Sequence, residues 1–139
     1  MALARGLLAN GHRIRVLEQA ASLREGGAAV TILSNGAAAL AGLGAPMDGL
    51  GGLIEEMEIR DARGALLCRF DLRVMRRRTG FPVVTVPSER LIAHLAQGLP
   101  ADVVQFGRGL ESATLHADHI EAVDSRGDCT RRRHGWNAR

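Results

Sequence analysis

Glu18 closes a short apolar run, "RIRVLEQA", that covers residues 13–20. An acid at the C-terminal end of a parallel strand accepts hydrogen bonds from the hydroxyls of an adenosine ribose. An acid can also close a surface strand with no ligand, and position alone leaves both readings open. Arg90 opens a helical stretch just after a strand-like one. Its planar guanidinium offers an anionic cofactor two parallel donors, and a plain helix-surface arginine is the alternative. His116, Asp118 and His119 carry metal-ligating atoms. They crowd into one tight turn with no evident fourth ligand, so the expectation is that they hold no metal. The run Arg76-Arg77-Arg78 has no interleaved aromatics of the kind that stack on single strands, and a solvated loop is expected there.

Several chemistries are excluded by what the chain lacks. It contains no lysine, so a P-loop, which needs one to reach the phosphates, is absent. There is no G-x-S-x-G nucleophile elbow and no H-E-x-x-H zinc motif. A G-x-G-x-x-G dinucleotide loop is also missing, since "GLGG" at Gly49 to Gly52 fails at the sixth position. An intact small dehydrogenase of Rossmann type would need that loop. No side chain is singled out as a catalytic acid or base.

The 139 residues suffice for one ordinary domain, and 46% are apolar, enough for a core. All 18 basic residues are arginine, there are 17 glycines, and the net charge is only +3. An Ala/Gly/Arg bias of this uniformity reads as coding composition, which weakens any argument from the pI of 10.0 toward nucleic acid. Cys68 and Cys129 form no C-x-x-C pair and suit a reducing cytosol, so a cytoplasmic location is expected. No apolar run approaches a membrane span. "MALARGLLAN" reads as a helix rather than a signal peptide.

The elements that must position Glu18 and Arg90 follow from periodicity. Leu3, Ala4, Leu7 and Leu8 recur at helical spacing, and Asn10-Gly11 ends the run. Ile14, Val16 and Leu17 then give a strand. "SLREGGAAVT" (residues 22–31) reads as a loop, Asn35 as the N-cap of an Ala-rich helix stopped by Gly42 and Gly44, and "MDGLGGLI" as a flexible connection. "EMEIRD", "ALLCRFD" and "FPVVTV" read as strands of an antiparallel sheet, with "RDARG" (Arg60 to Gly64) the turn between the first two. "SERLIAHLAQGL" is a helix that starts at Pro87-Ser88, with Leu91, Ile92 and Leu95 on one face and Gly98 at its end. "DVVQFG" is a further strand, and "ATLHADHIEAVDSRG" a hairpin or meander around Ala117-Asp118. After Asp128, "CTRRRHGWNAR" shows neither period.

The order "LARGLLANGHRIRVLEQA", "LREGGAAVTILSNGAAAL", "VPSERLIAHL" resembles the FAD-dependent aromatic-ring monooxygenases, the group-A flavin hydroxylases similar to salicylate and para-hydroxybenzoate hydroxylases. The likeness runs from Met1 to about Gly127. It implies an α/β fold, α+β overall: a partial FAD-binding Rossmann-like β-α-β unit plus antiparallel strands, lacking the first strand. By the same resemblance residues 1–128 are a partial FAD-binding domain with the start of the substrate-domain sheet. Residues 129–139 are an irregular Arg-rich tail consistent with a shifted reading frame.

Residue by residue, the resemblance implies that Glu18 is the ribose-binding acid, with Gln19 beside it. Thr31 falls where the family often places a residue near the flavin, and Arg90 matches the FAD-contacting arginine of its "R-x-x-L-x-x-x-L" helix. Ala29 replaces the second glycine of the family's "REVGAGIxLxPNAxxxL" pattern, and Ser34 its proline. The implied activity is NAD(P)H-driven insertion of one oxygen atom of O₂ into a small aromatic substrate, with FAD as cofactor and NADH or NADPH as reductant. In the family a strand and G-x-G-x-x-G precede the first helix and seat the pyrophosphate on its N-terminus. Met1 aligns just past the last of those glycines, so the expectation is an N-terminal fragment, inactive alone. The alternative is a small non-enzymatic module that binds a ligand or nucleic acid. No membrane or nucleic-acid partner is expected.

Overall fold

A computed structural model describes residues 1–23 and 26–133. The described residues form four helices and ten strands in several small sheets, a mixed α/β architecture. The chain divides into two compact units: Met1–Arg13 with Arg24–Leu99, and Ile14–Leu23 with Pro100–Arg139.

The first unit opens with helix α1, Ala2–Ala9, which ends as its sequence predicts: Asn10 is the C-cap and Gly11 follows with φ +78°. Strand β2, Ala29–Ile32, lies antiparallel to β6, Val84–Pro87, with Thr31 opposite Thr85. The two-residue β3, Gly52–Leu53, covers the other edge of β6. β6 reads "VTVP" and alternates in burial, so Val84 and Val86 point into the core with Ala37 and Met47. Helices α2, Ser34–Gly42, and α4, Ser88–Ala96, belong to this unit, and Leu40 and Leu91 pack on the same cluster.

Arg5, on α1, joins the helix ends. Its Nε donates to the Leu43 carbonyl at 2.9 Å and Nη1 to the Leu95 carbonyl at 3.2 Å, while Nη2 donates to the Gly44 carbonyl. A cation at the C-termini of α2 and α4 meets carbonyls that have no partner within their helices. A separate hairpin, β4 (Glu56–Arg60) with β5 (Leu66–Asp71), turns through Asp61, whose Oδ1 accepts the N–H groups of Arg63 and Ala65. Arg60 and Arg69 clamp Glu58 across it and hold that carboxyl below its usual range.

The second unit contains β1, Val16–Glu18, parallel to β7, Val104–Phe106. Its other sheet runs in the order β10, β9, β8: Cys129–Arg133, His119–Asp124 and Leu110–Leu115. Asp124 is the buried polar hub of this sheet. Its Oδ1 accepts the N–H groups of Arg126 and Asp128, and its Oδ2 accepts Arg108 Nη1 at 2.7 Å. Burial alone would raise the Asp124 carboxyl, but the Arg126 N–H, the Arg108 guanidinium and the Asp128 N–H outweigh it and leave the group below the usual carboxylate range. A carboxyl lowered in the fold contributes stability above its ordinary titration range, and that contribution disappears as pH falls through the lowered value. Acid is therefore expected to loosen this sheet. Urea midpoints at neutral pH and at about pH 3 should differ less in Asp124→Asn than in the parent, and an unchanged difference would remove Asp124 from that role.

Several sequence expectations are corrected. Residues 129–133, read as irregular, form β10, paired with β9 and tied by Arg131 Nε to Glu121 Oε2 at 2.8 Å. An edge strand of this kind is held by backbone bonds and cross-strand charge, and needs no apolar alternation. Residues 134–139 lie outside the described residues. Arg76 to Arg78 sit on a helix, α3 (Arg73–Thr79), rather than a loop, with their charges at its C-terminal end before Gly80 at φ +77°. "FPVVTV" does not join β4 and β5 but pairs with β2 and β3, which lie in segments read as connections. The N-cap of α2 is Leu33, not Asn35, which is the second residue of the helix and accepts the Gly36 N–H.

Candidate functional site

Glu18 is the last residue of β1, at the C-terminal end of a parallel pair, the position that the sequence reading required. Its backbone carbonyl accepts the Arg108 N–H at 2.9 Å, which fixes the end of the strand. The half-buried side chain turns back so that Oε1 accepts the Ala20 N–H at 2.9 Å. Oε2 takes no partner among the described residues and keeps its acceptor capacity. Gln19 is exposed and lies over Gly109, where an added Cβ would stand 3.6 Å from Gln19 Cβ. Glu18 and Gln19 thus share one strand end in the second unit.

Thr31 and Arg90 belong to the first unit. Thr31, on β2, is exposed, and its hydroxyl lies 3.0 Å from the Thr85 hydroxyl on β6. Arg90 stands in the first turn of α4, exposed, with no hydrogen bond or ion pair among the described residues. β6 runs directly into α4, so the strand that faces Thr31 also delivers Arg90.

The geometry adds one residue, Glu89, that sequence reasoning did not single out. Glu89, one position before Arg90, accepts the Gly26 N–H. Ser88 N–H donates to the Ala28 carbonyl at 3.1 Å. Gly27 has φ +141°, and a Cβ there would stand 2.6 Å from Ser88 Oγ. The glycine pair is therefore stitched to the start of α4, and only glycine fits this approach. The available signal was the acid in the first helical turn, a position that favours negative charge.

As chemistry, the two units offer a carboxylate with a free acceptor oxygen at a strand end and an unpartnered guanidinium on a first helical turn. The first suits a diol and the second an anion. No glycine-rich loop of G-x-G-x-x-G form occurs in the sequence to seat a pyrophosphate.

No protein-family model matches the chain, and no curated protein sequence does. Solved structures do match. HpxO of Klebsiella pneumoniae, in complex with FAD and uric acid, superposes with a TM-score of 0.77 at 26% identity, over 94% of this chain and 33% of its own. The chain has the fold of the FAD-dependent aromatic-ring monooxygenases. The p-nitrophenol 4-monooxygenase PnpA from Pseudomonas putida DLL-E4 matches this monooxygenase fold at TM-score 0.75 and 21% identity, over 94% of this chain and 35% of PnpA. The 2,6-dihydroxypyridine-3-hydroxylase from Arthrobacter nicotinovorans gives 0.68 and 14%, over 94% and 31%. The chain thus spans about a third of the length of the monooxygenases it matches. Among the described residues, no helix is long and apolar enough to cross a membrane.

Proposed function

We propose that this chain is the adenosine-binding part of an FAD-dependent monooxygenase, with the first strands of its substrate-domain sheet. The observation that carries the reading is the superposition on FAD-bound HpxO over 94% of the chain. Glu18 holds the ribose through its free carboxylate oxygen, with Gln19 beside it. Arg90 meets the cofactor's phosphate charge, and Thr31 stands toward the flavin. Residues 1–128 form this part, and residues beyond 128 lie outside the cofactor-binding role.

FAD, when bound, supplies the redox chemistry: it is reduced by NADH or NADPH and delivers one oxygen atom of O₂ to a small aromatic or similar ring. The residues of this chain bind and orient it. A chain that spans a third of the fold binds the adenosine end weakly and does not turn over alone, and the location in keeping with this chemistry is cytoplasmic.

The test is a titration of the full chain with FAD, followed by quenching of flavin fluorescence. Glu18→Ala and Arg90→Ala are each expected to weaken binding about tenfold, the ~1.4 kcal/mol of one lost charge-assisted hydrogen bond. Binding unchanged in Glu18→Ala would reject the ribose assignment, and binding unchanged in Arg90→Ala the phosphate one. Absence of any saturable binding would reject the whole reading.

A further inference from the structure

The β8–β9 hairpin brings together side chains that the flavin reading leaves unused. Its register sets Thr114 opposite Glu121 and Leu115 opposite Ile120, and the His116 N–H donates to the His119 carbonyl at 2.8 Å. Side-chain alternation then puts His116, His119 and Glu121 on one face. The two imidazoles stack, with centroids 4.4 Å apart and planes 9° from parallel. One ligating atom from each of the three residues lies within 4.8 Å of the others. The turn that looked too tight to hold an ion therefore supplies two histidines, and the third ligand comes from two positions further along β9.

A second observation concerns tautomer. His119 Nδ1 is 2.7 Å from Asp118 Oδ1. A carboxylate at that nitrogen holds the proton there and leaves the lone pair on Nε2. Histidines that bind metals are commonly oriented in this way by a carboxylate. Arg131, directly opposite Glu121 on β10, donates through Nε to Glu121 Oε2 at 2.8 Å and holds the carboxylate from that strand.

We propose that His116, His119 and Glu121 form a surface site for a divalent transition cation of the zinc type, with Asp118 as the residue that orients His119. Two imidazoles and one carboxylate suit Zn²⁺ and leave its fourth position to water. The ligand atoms must close from their present spacing to about 3.3 Å, the separation in a tetrahedral zinc site, and His116, the exposed member at the hairpin tip, is the one that moves. The site lies within the second unit and does not depend on flavin binding.

The experiment titrates the full chain with ZnCl₂ in competition with a chromogenic chelator. One equivalent is expected to bind with a dissociation constant of roughly 10 μM, about −7 kcal/mol. His116→Ala, His119→Ala and Glu121→Gln should each weaken it at least tenfold, with the far-UV circular dichroism of His116→Ala unchanged because that residue is exposed. Asp118→Asn should weaken it less than either histidine change. The titration is repeated in Cys129→Ser, where binding should persist. Absence of binding at about 1 mM Zn²⁺, or equal affinity in the His116→Ala/His119→Ala double variant, overturns the proposal, as does loss of binding in Cys129→Ser alone.

Discussion

Gly51→Ala is expected to destabilise the first unit by about 3 kcal/mol and lower its unfolding midpoint by roughly 10 °C. The cause is backbone against backbone. A Cβ on Gly51 would stand 2.2 Å from the Thr85 carbonyl oxygen, 2.9 Å from its carbon and 3.1 Å from Val86 Cα. None of these atoms can swing aside as a long side chain would. β6 carries Val84 and Val86, the most deeply buried large side chains described, and Thr85 pairs with Thr31 on one side and Gly52 on the other. Pushing Gly51 away therefore detaches β3 from the central strand. Gly52, its neighbour, has open space at the same position, so Gly52→Ala is the matched control and should change little. Thermal unfolding of both variants by circular dichroism is the measurement; equal midpoints would show that the strand yields without cost.

The second large effect is expected at Arg5. Arg5→Ala removes one guanidinium from the three carbonyls of Leu43, Gly44 and Leu95, and should cost about 3 kcal/mol, as befits charge-assisted bonds at helix C-termini. Arg5→Lys should recover only part, because an ammonium is a point charge without the guanidinium fork. Gly98 provides an independent check. A Cβ there would stand 1.9 Å from Arg5 Nη1 and 2.4 Å from Cζ. Gly98→Ala should therefore expel the guanidinium and mimic Arg5→Ala. The double variant should be barely worse than either single one, with a coupling energy of about 2 kcal/mol in a urea-denaturation cycle. Additive losses would show that Gly98 and Arg5 act separately.

Neither residue stands out in the sequence. Arg5 reads as a polar interruption of an apolar helix, and its partners lie far along the chain. What was legible was local. The Asn10-Gly11 helix stop and the Arg60 to Gly64 turn depend on neighbours a few residues away, and the strand that ends at Glu18 was legible from its own apolar run although it pairs with distant β7. The elements that escaped depend on distant ones. β3 exists because β6 has a free edge for it, and β2 because β6 holds the other. α3 was hidden because three consecutive arginines mask any apolar period. β10 was hidden because its hold on β9 comes from backbone pairing and the Glu121–Arg131 bridge. For the candidate site the same division holds. Glu18 could be placed from its own strand, whereas the fastening of Gly26 and Gly27 to the start of α4 joins residues over 60 positions apart.

The Arg5 tie also sets an order of assembly. Its donors reach carbonyls 38 and 90 positions along the chain. During synthesis α1 is made long before Leu95, and the tie is complete only once Leu95 has been added. The bonds to the Leu43 and Gly44 carbonyls close the shorter span first, and loop closure over the longer one is slow compared with the hairpins that form locally. α1 is thus secured in two steps, the second of them late. An interruption of synthesis short of Leu95 leaves it without one of its three attachments.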